Sequence, residues 1–497
     1  MILLILLILL TALNNLQSQD MLPEEKISYR PATVAGSFYP DDKNELLSLI
    51  NEYLNKEKSI ISKKEEIFAL IVPHAGYVYS GWVAGGAYRE VVGRKYDAIV
   101  VIGPSHICAF HGISVFDGDA YTTPLGVSKI DKELAKAIAK NGMNIKISRE
   151  GHNWNTSRSE HCIEVQIPFL QVVLPDVPIV PIIIGSSDFN TADDLMLSLI
   201  KSIKETNKKV LLVASTDLSH FHSQKQAESL DHSLITDFER YDYLKLSNDI
   251  FIQKKEACGG APLLTVMMAA EQLGANNSMP LKYATSADSP YHATDTTRVV
   301  GYLGAALVKS KNPLIELPQF TEEEQELLKQ TAETSIHNKI LNIKDTSYLN
   351  IKNENLNLQL PAFVTIKKKG KLRACMGHTT SDFPLFEEVA LSAQIASTED
   401  YRFGPITKKE LDSLNFEITV LSRMTRVTDF SQIQIGRDGL YIRLNRNGGI
   451  FLPQVPVEQK WNLTEYLENL CHKAGLQNND YLNPKAQIFS FRAFVID

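Results

Sequence analysis

Four runs rich in Val and Ile, Ile67 to Val72, Ala98 to Ile102, Val177 to Ile184 and Val210 to Ala214, show no alternation of polar and apolar residues. A strand that is apolar on both faces has to be covered on both faces, which is the environment of a parallel sheet between helices. The intervening stretches read as helices. Asp41 to Leu54 (DDKNELLSLINEYL) carries an N-cap and amphipathic spacing, and Ala261 to Leu273 reads as a helix after a Gly-Gly turn. An α/β domain with a largely parallel central sheet is the expectation for the first three-fifths of the chain.

The pattern changes near Ser310 to Gln319 (SKNPLIELPQ), where two prolines interrupt the periodicity. Thr321 then reads as the N-cap of a helix with acidic residues in its first turn. Beyond it, strand-like pieces joined by KKKGK and NRNGG suggest antiparallel hairpins in an α+β domain. The expected division is a domain over 29–308, a linker over 309–320 and a second domain over 321–497.

Residues Ile2 to Leu13 form an uncharged apolar run too short to span a bilayer. It suits the core of a secretory signal over 1–18 with cleavage near Ser18, hence export or a periplasmic location. The alternative is a cytoplasmic protein starting at Met21. The 51 Lys+Arg against 58 Asp+Glu give a net charge of -7, and no basic stretch is interleaved with aromatics, so nucleic acid is not an expected partner. The five cysteines, Cys108, Cys162, Cys258, Cys375 and Cys471, include no near neighbours, which argues against a disulfide framework, a CxxC zinc finger or an iron-sulfur cluster.

Each apolar run of the first domain ends in a polar motif: PHAG at 73–76, GPSH at 103–106, GSSD at 185–188 and STDLSH at 215–220. Ligands of open α/β sheets bind beyond the carboxyl ends of the strands, so His74, His106, Asp188, Asp217 and His220 are expected to converge on one crevice. Cys258, in EACGGAP, precedes a helix whose N-terminal dipoles favour the thiolate, the form that binds metal. The glycines of GWVAGGAYREV match no phosphate-loop pattern and fit close helix packing better.

The ordered series AGSFYP (35–40), PHAGYVYSG (73–81), GPSH, TPLG (123–126), EHCIEVQIPF (160–169), STDLSHF (215–221) and the CGG segment resembles the Memo family, system protein B of the AmmeMemoRadiSam set. That resemblance implies metal ligands at His74, His106 and Cys258, and a fold like the class III extradiol dioxygenases, which hold non-haem iron with two histidines and a carboxylate. Cys258 then replaces the carboxylate. Iron (Fe2+) is the metal the resemblance favours; from ligand chemistry alone zinc and copper are also admissible. Around these ligands, His220 is the expected acid or base, with Asp217 as its carboxylate partner. His161 and Glu164, at helical spacing, are expected to face the crevice, with Glu164 orienting a ligand or substrate group; the alternative for the pair is a helix-capping or core-anchoring network. Ile107 departs from the animal Memo pattern, in which a second histidine commonly follows the first.

LRACMGH (372–378), STEDYRFGPIT (397–407), LNFEITVLS (414–422) and FLPQVPVEQKWN (451–462) resemble the AMMECR family, system protein A of the same set. Cys375 is the candidate nucleophile there, and Glu417 and Gln454 are candidates for a shared groove. The resemblance implies a separate radical SAM enzyme as partner. The functional expectation is a non-haem iron oxidoreductase of oxygenase type acting on a small organic substrate, aromatic ones included. The alternatives are a metal-binding or phosphopeptide-binding scaffold and a zinc-dependent hydrolase.

Overall fold

In the computed structural model, which describes residues 28–56, 58–154, 158–186, 188–291 and 295–497, the four apolar runs lie side by side. Their spatial order is Glu66–Val72, Val210–Ser215, Ala98–Pro104, Ile179–Ile184, all parallel. Every residue of the latter three strands is buried, as their composition requires. The last strand begins at Ile179, after Pro178, and carries Pro181 within it.

The flanks of this nine-stranded sheet are antiparallel. Val299–Lys309 runs against Glu66–Val72 and also pairs with Asn277–Thr285 and His220–His222. It follows Asn277–Thr285 in the chain, and the two strands form an antiparallel pair. On the other side Ile113–Phe116 opposes Ile179–Ile184, with Ile145–Ser148 beside it. Helices Phe189–Thr206 and Gly260–Leu273 pack together over the sheet. The helix Trp82–Tyr88 lies against Lys43–Asn55 so closely that a Cβ on Gly85 would fall 2.7 Å from the Cβ of Tyr53. Close packing against Tyr53 thus accounts for Gly81 and Gly85.

The second domain holds two antiparallel four-stranded sheets. One runs Lys371–Gly377, Ala362–Lys368, Leu414–Leu421, Ala493–Ile496; the other runs Thr425–Arg426, Gln487–Phe491, Gly439–Leu444, Asn447–Phe451. Helices Glu322–Leu341 and Leu385–Glu399 cover the first, and Leu463–Lys473 covers the second. Thr321 caps its helix in a reciprocal pair with Glu324. The KKKGK hairpin turns at Lys369 and Gly370, both at positive φ (51° and 74°). NRNGG turns at Asn445 and Arg446 instead of at its glycines. Gly449 lies within the strand, where a Cβ would come 2.7 Å from the backbone nitrogen of Ala474.

Leu421, Met424, Phe489 and Phe491 of the second domain join the apolar core of the first. Beside them Arg426 is buried, its Nε 2.9 Å from Asp193 Oδ1 and its Nη2 3.2 Å from Oδ2. Its remaining N–H groups donate to the carbonyls of Val427, Ile488 and Ala486. Arg423 reaches Glu271 at 2.6 Å, and Tyr243 donates to the same carboxylate at 2.9 Å. The signal segment expected over 1–18 lies outside the described residues. Among the described residues no helix is long and apolar enough to cross a membrane.

Candidate metal centre

His74 is placed two residues past the end of Glu66–Val72, whose Val72 pairs with Ser215 of the neighbouring strand. Its Nδ1 lies 3.0 Å from Ser215 Oγ. That hydroxyl spends its proton on the Cys162 carbonyl at 2.7 Å and accepts from Gln166 Nε2 at 3.0 Å. The Gln166 amide is itself oriented, since it donates to the Pro73 carbonyl and accepts from Tyr88 Oη, each at 2.9 Å. Ser215 can therefore only accept from His74, so Nδ1 carries the proton and the Nε2 lone pair points towards Cys258, whose Sγ lies 3.1 Å away.

His106 follows the strand Ala98–Pro104 and is tied down twice by Glu160. Its main-chain N–H reaches Oε2 at 2.7 Å and its Nδ1 reaches Oε1 at 2.9 Å. Burial works to raise the pKa of Glu160, but the hydrogen bonds and charge of His106 prevail and bring it down to about 2. As an ionised acceptor Glu160 fixes the proton on His106 Nδ1 and leaves Nε2 free.

Cys258 sits before Gly260–Leu273. Its N–H donates to the Asp217 carbonyl, and the Asp217 N–H donates back to Sγ, both at 3.2 Å. Gly259 makes the turn feasible, because a Cβ there would stand 2.5 Å from the Ser215 carbonyl oxygen. The ligand atoms of His74, His106 and Cys258 all lie within 4.8 Å of one another. The two imidazole rings are 5.0 Å apart and nearly perpendicular, at 84°.

The helix N-terminus does not ionise Cys258 as the sequence suggested. Burial pushes the thiol up, the charge of Asp217 adds to this, and the nearby N–H donors only partly offset it. Burial likewise lowers His74 to about 3, helped by His106, so the imidazole is neutral.

The other expected residues divide. His161 joins the cluster, its ring 4.6 Å from His106 and 5.4 Å from His74. Burial, then His74 and His106, lower it to about 3. Asp217 bridges the site differently from expectation: Oδ1 accepts the His74 N–H at 2.7 Å, and Oδ2 lies 3.9 Å from His74 Nε2. His220 Nδ1 donates to the Leu218 carbonyl at 2.8 Å, so a backbone group and not Asp217 sets its tautomer.

Glu164 does not face the crevice. It is buried against Arg30 in an ion pair, and its oxygens accept from Thr33 N at 2.8 Å, Val34 N at 2.9 Å and Tyr39 Oη at 2.8 Å. The AGSFYP segment is thereby fastened to the domain. Asp188 caps Phe189–Thr206, accepting from Thr191 N and Oγ1, and lines a different cavity. Glu160, Ser215 and Gln166 were not anticipated. Glu160 adjoins His161 in the motif that named the histidine, and Ser215 opens STDLSHF, so both stood in view without a stated role.

In the second domain Cys375 pairs across strands with Thr365, which pairs in turn with Glu417. The Thr365 hydroxyl donates to Cys375 Sγ at 3.2 Å, and burial raises the thiol. Glu417 is held by Lys367 at 2.6 Å, and Gln454 opens the short helix Gln454–Glu458. Burial thus works against the thiolate, while the Thr365 hydroxyl and the charge of Arg402 work for it.

A family model described as Memo-like protein matches residues 30–306, more than half of the sequence. The chain belongs to the Memo-like family. A second model, AMMECR1, matches residues 329–496, so a Memo-like domain is fused to an AMMECR1 domain. A MEMO1 family protein of Methanobrevibacter smithii is 34% identical over 282 residues, covering 55% of this chain and 97% of its own length. One from Methanococcoides burtonii is 36% identical over 281 residues, covering 56% and 100%. Among solved structures, an uncharacterized protein of Pyrococcus horikoshii is similar at 28% identity over 36% of this chain and 93% of its own, with a TM-score of 0.34. An uncharacterized Escherichia coli K12 protein is similar at 16% identity over 49% and 100%, with a TM-score of 0.31.

Proposed function

We propose that the Memo-like domain is a mononuclear metalloenzyme, a non-haem iron oxidoreductase of oxygenase type acting on a small organic substrate, aromatic ones included. The observation that carries this is the donor set: two imidazoles with Nε2 free and a cysteine sulfur, all within 4.8 Å and drawn from three distant segments. Such a set fits a divalent transition metal. His74 and His106 would hold it through Nε2 and Cys258 through Sγ.

A metal held by three protein ligands keeps open positions and supplies Lewis acidity and, as iron, redox chemistry. The chain's own residues do the rest. Ser215 and Glu160 keep the two ligand imidazoles in the right tautomer. Asp217 clamps the His74 backbone to the turn that carries Cys258. His220, with Nδ1 engaged by Leu218, has Nε2 available to take or return a proton. His161, neutral and stacked on His106, offers the substrate a hydrogen bond.

Protein purified without oxygen is expected to contain one iron per chain, lost on His74→Ala or Cys258→Ser, with substrate-dependent oxygen uptake. His220→Gln should keep the iron and slow turnover by about 10²–10⁴-fold. Absence of stoichiometric metal would overturn the reading. The sulfur ligand suits zinc as well, so stoichiometric zinc with hydrolysis and no oxygen uptake would replace it by a hydrolase. A separate radical SAM enzyme is the proposed partner of the fused domains, to be sought by pull-down from the native source.

A further inference from the structure

The domain interface encloses a cavity of about 280 Å³ that the metal centre does not use. The first domain contributes the start of Phe189–Thr206 and the loop at Asn144; the second contributes Arg443, Lys485 and Gln487. The volume approaches the lower end of the ~300–1,000 Å³ usual for small-molecule sites.

The carboxylates lining it are already committed. Asp188 caps its own helix. Asp193 is held by Arg426. Asp194 accepts from the main-chain N–H groups of Met143 and Asn144 at 2.9 Å each. At the helix N-terminus the Thr191 N–H is taken up by Asp188. The cations are in the opposite position. Arg443 uses Nε for Gln487 Oε1 at 2.9 Å, and its guanidinium is held over Phe189, 4.6 Å from the ring centre. Among the described residues neither Arg443 nor the exposed Lys485 forms an ion pair.

Gln487 is fixed by a 3.0 Å bond to Asn190 Oδ1, so the Arg443 fork is presented from a rigid support. Burial lowers the pKa of Arg443, and the charges of Tyr441 and Asp193 only partly offset it. A planar fork with free Nη groups matches a carboxylate or phosphate, and an added anion would satisfy it where the protein does not.

We propose that this cavity is a binding site for a small metabolite bearing an oxyanion, gripped by Arg443 and Lys485 of the AMMECR1 domain against the Memo-like domain. A ligand there contacts both domains at once and stiffens their junction. The site is independent of the metal reading.

Calorimetric titration of the full chain with succinate and with inorganic phosphate, at ionic strength held constant with sodium chloride, tests it. Saturable one-to-one binding of either probe is expected, weakened at least tenfold by Arg443→Gln and severalfold by Lys485→Glu, with metal content unchanged. The stronger probe identifies the anion as carboxylate or phosphate. Lys485 is on the surface, so Lys485→Glu gives a folded variant even if Arg443→Gln does not. The proposal is overturned if neither probe binds above the chloride background, or if binding is unaffected by the substitutions.

Discussion

Cys258 Sγ and His74 Nε2 stand 3.1 Å apart although 184 positions separate them in the chain. At that distance the protonated thiol donates to the imidazole lone pair. Both atoms of that contact would bind a cation, which would take the place of the thiol proton.

The tautomer of each ligand histidine is set by one neighbour. Ser215→Ala and Glu160→Gln are each expected to lower metal affinity by about 10–100-fold while leaving the fold intact. A chelator competition titration checks this. Unchanged affinity in both variants would mean that the proton on Nδ1 is held by something else.

Glu164 separates a structural role from a catalytic one. Glu164→Ala leaves Arg30 buried without its counter-charge and should cost about 3–5 kcal/mol of stability. The folded fraction should still bind one metal. Retained stability with lost metal, read by denaturation and elemental analysis, would return Glu164 to the crevice.

Across the domain junction, Arg426→Ala strands Asp193 in the interior, at a cost of about 3–5 kcal/mol. Combining it with Asp193→Leu should recover much of that loss, because the penalty comes from the unpaired charge. Urea denaturation of the single and double variants measures the difference, and an additive double variant would contradict the pairing.

His378 donates through Nδ1 to Glu388 Oε1 at 2.7 Å, and that hydrogen bond raises its pKa above the usual 6.5. Because the folded value is the higher one, the stabilisation is complete below the unfolded pKa and disappears as pH rises through the folded value. Half the imidazole is exposed, so the effect should be about 0.5 kcal/mol or less. Melting temperatures of the native chain and His378→Gln should differ at pH 5.5 and converge by pH 8.5.

The parallel sheet was legible because continuous apolar runs have few other ways to be buried, and His74 and His106 were legible because such strands bring their carboxyl ends together. Glu164 takes the core-anchoring alternative for a physical reason. Its spacing from His161 is helical, but the regular helix starts only at Ile167, and Glu164 takes its partners from the remote Arg30, Thr33 and Tyr39. The net rise of the Cys258 thiol was not legible, because a helix dipole is visible locally, whereas desolvation depends on the whole fold. Docking of the domains left no local mark: Asp193 and Arg426 meet across 233 positions.

Sharing of Phe489 and Phe491 with the first core has a consequence during synthesis. The ribosome makes the helix Phe189–Thr206 long before the strand that covers it. At ~5–20 residues per second the interval is on the order of 15–60 s. Through that time Asp193 and its apolar surroundings face the cell, and the nascent chain is most open to chaperones and to association with a neighbour.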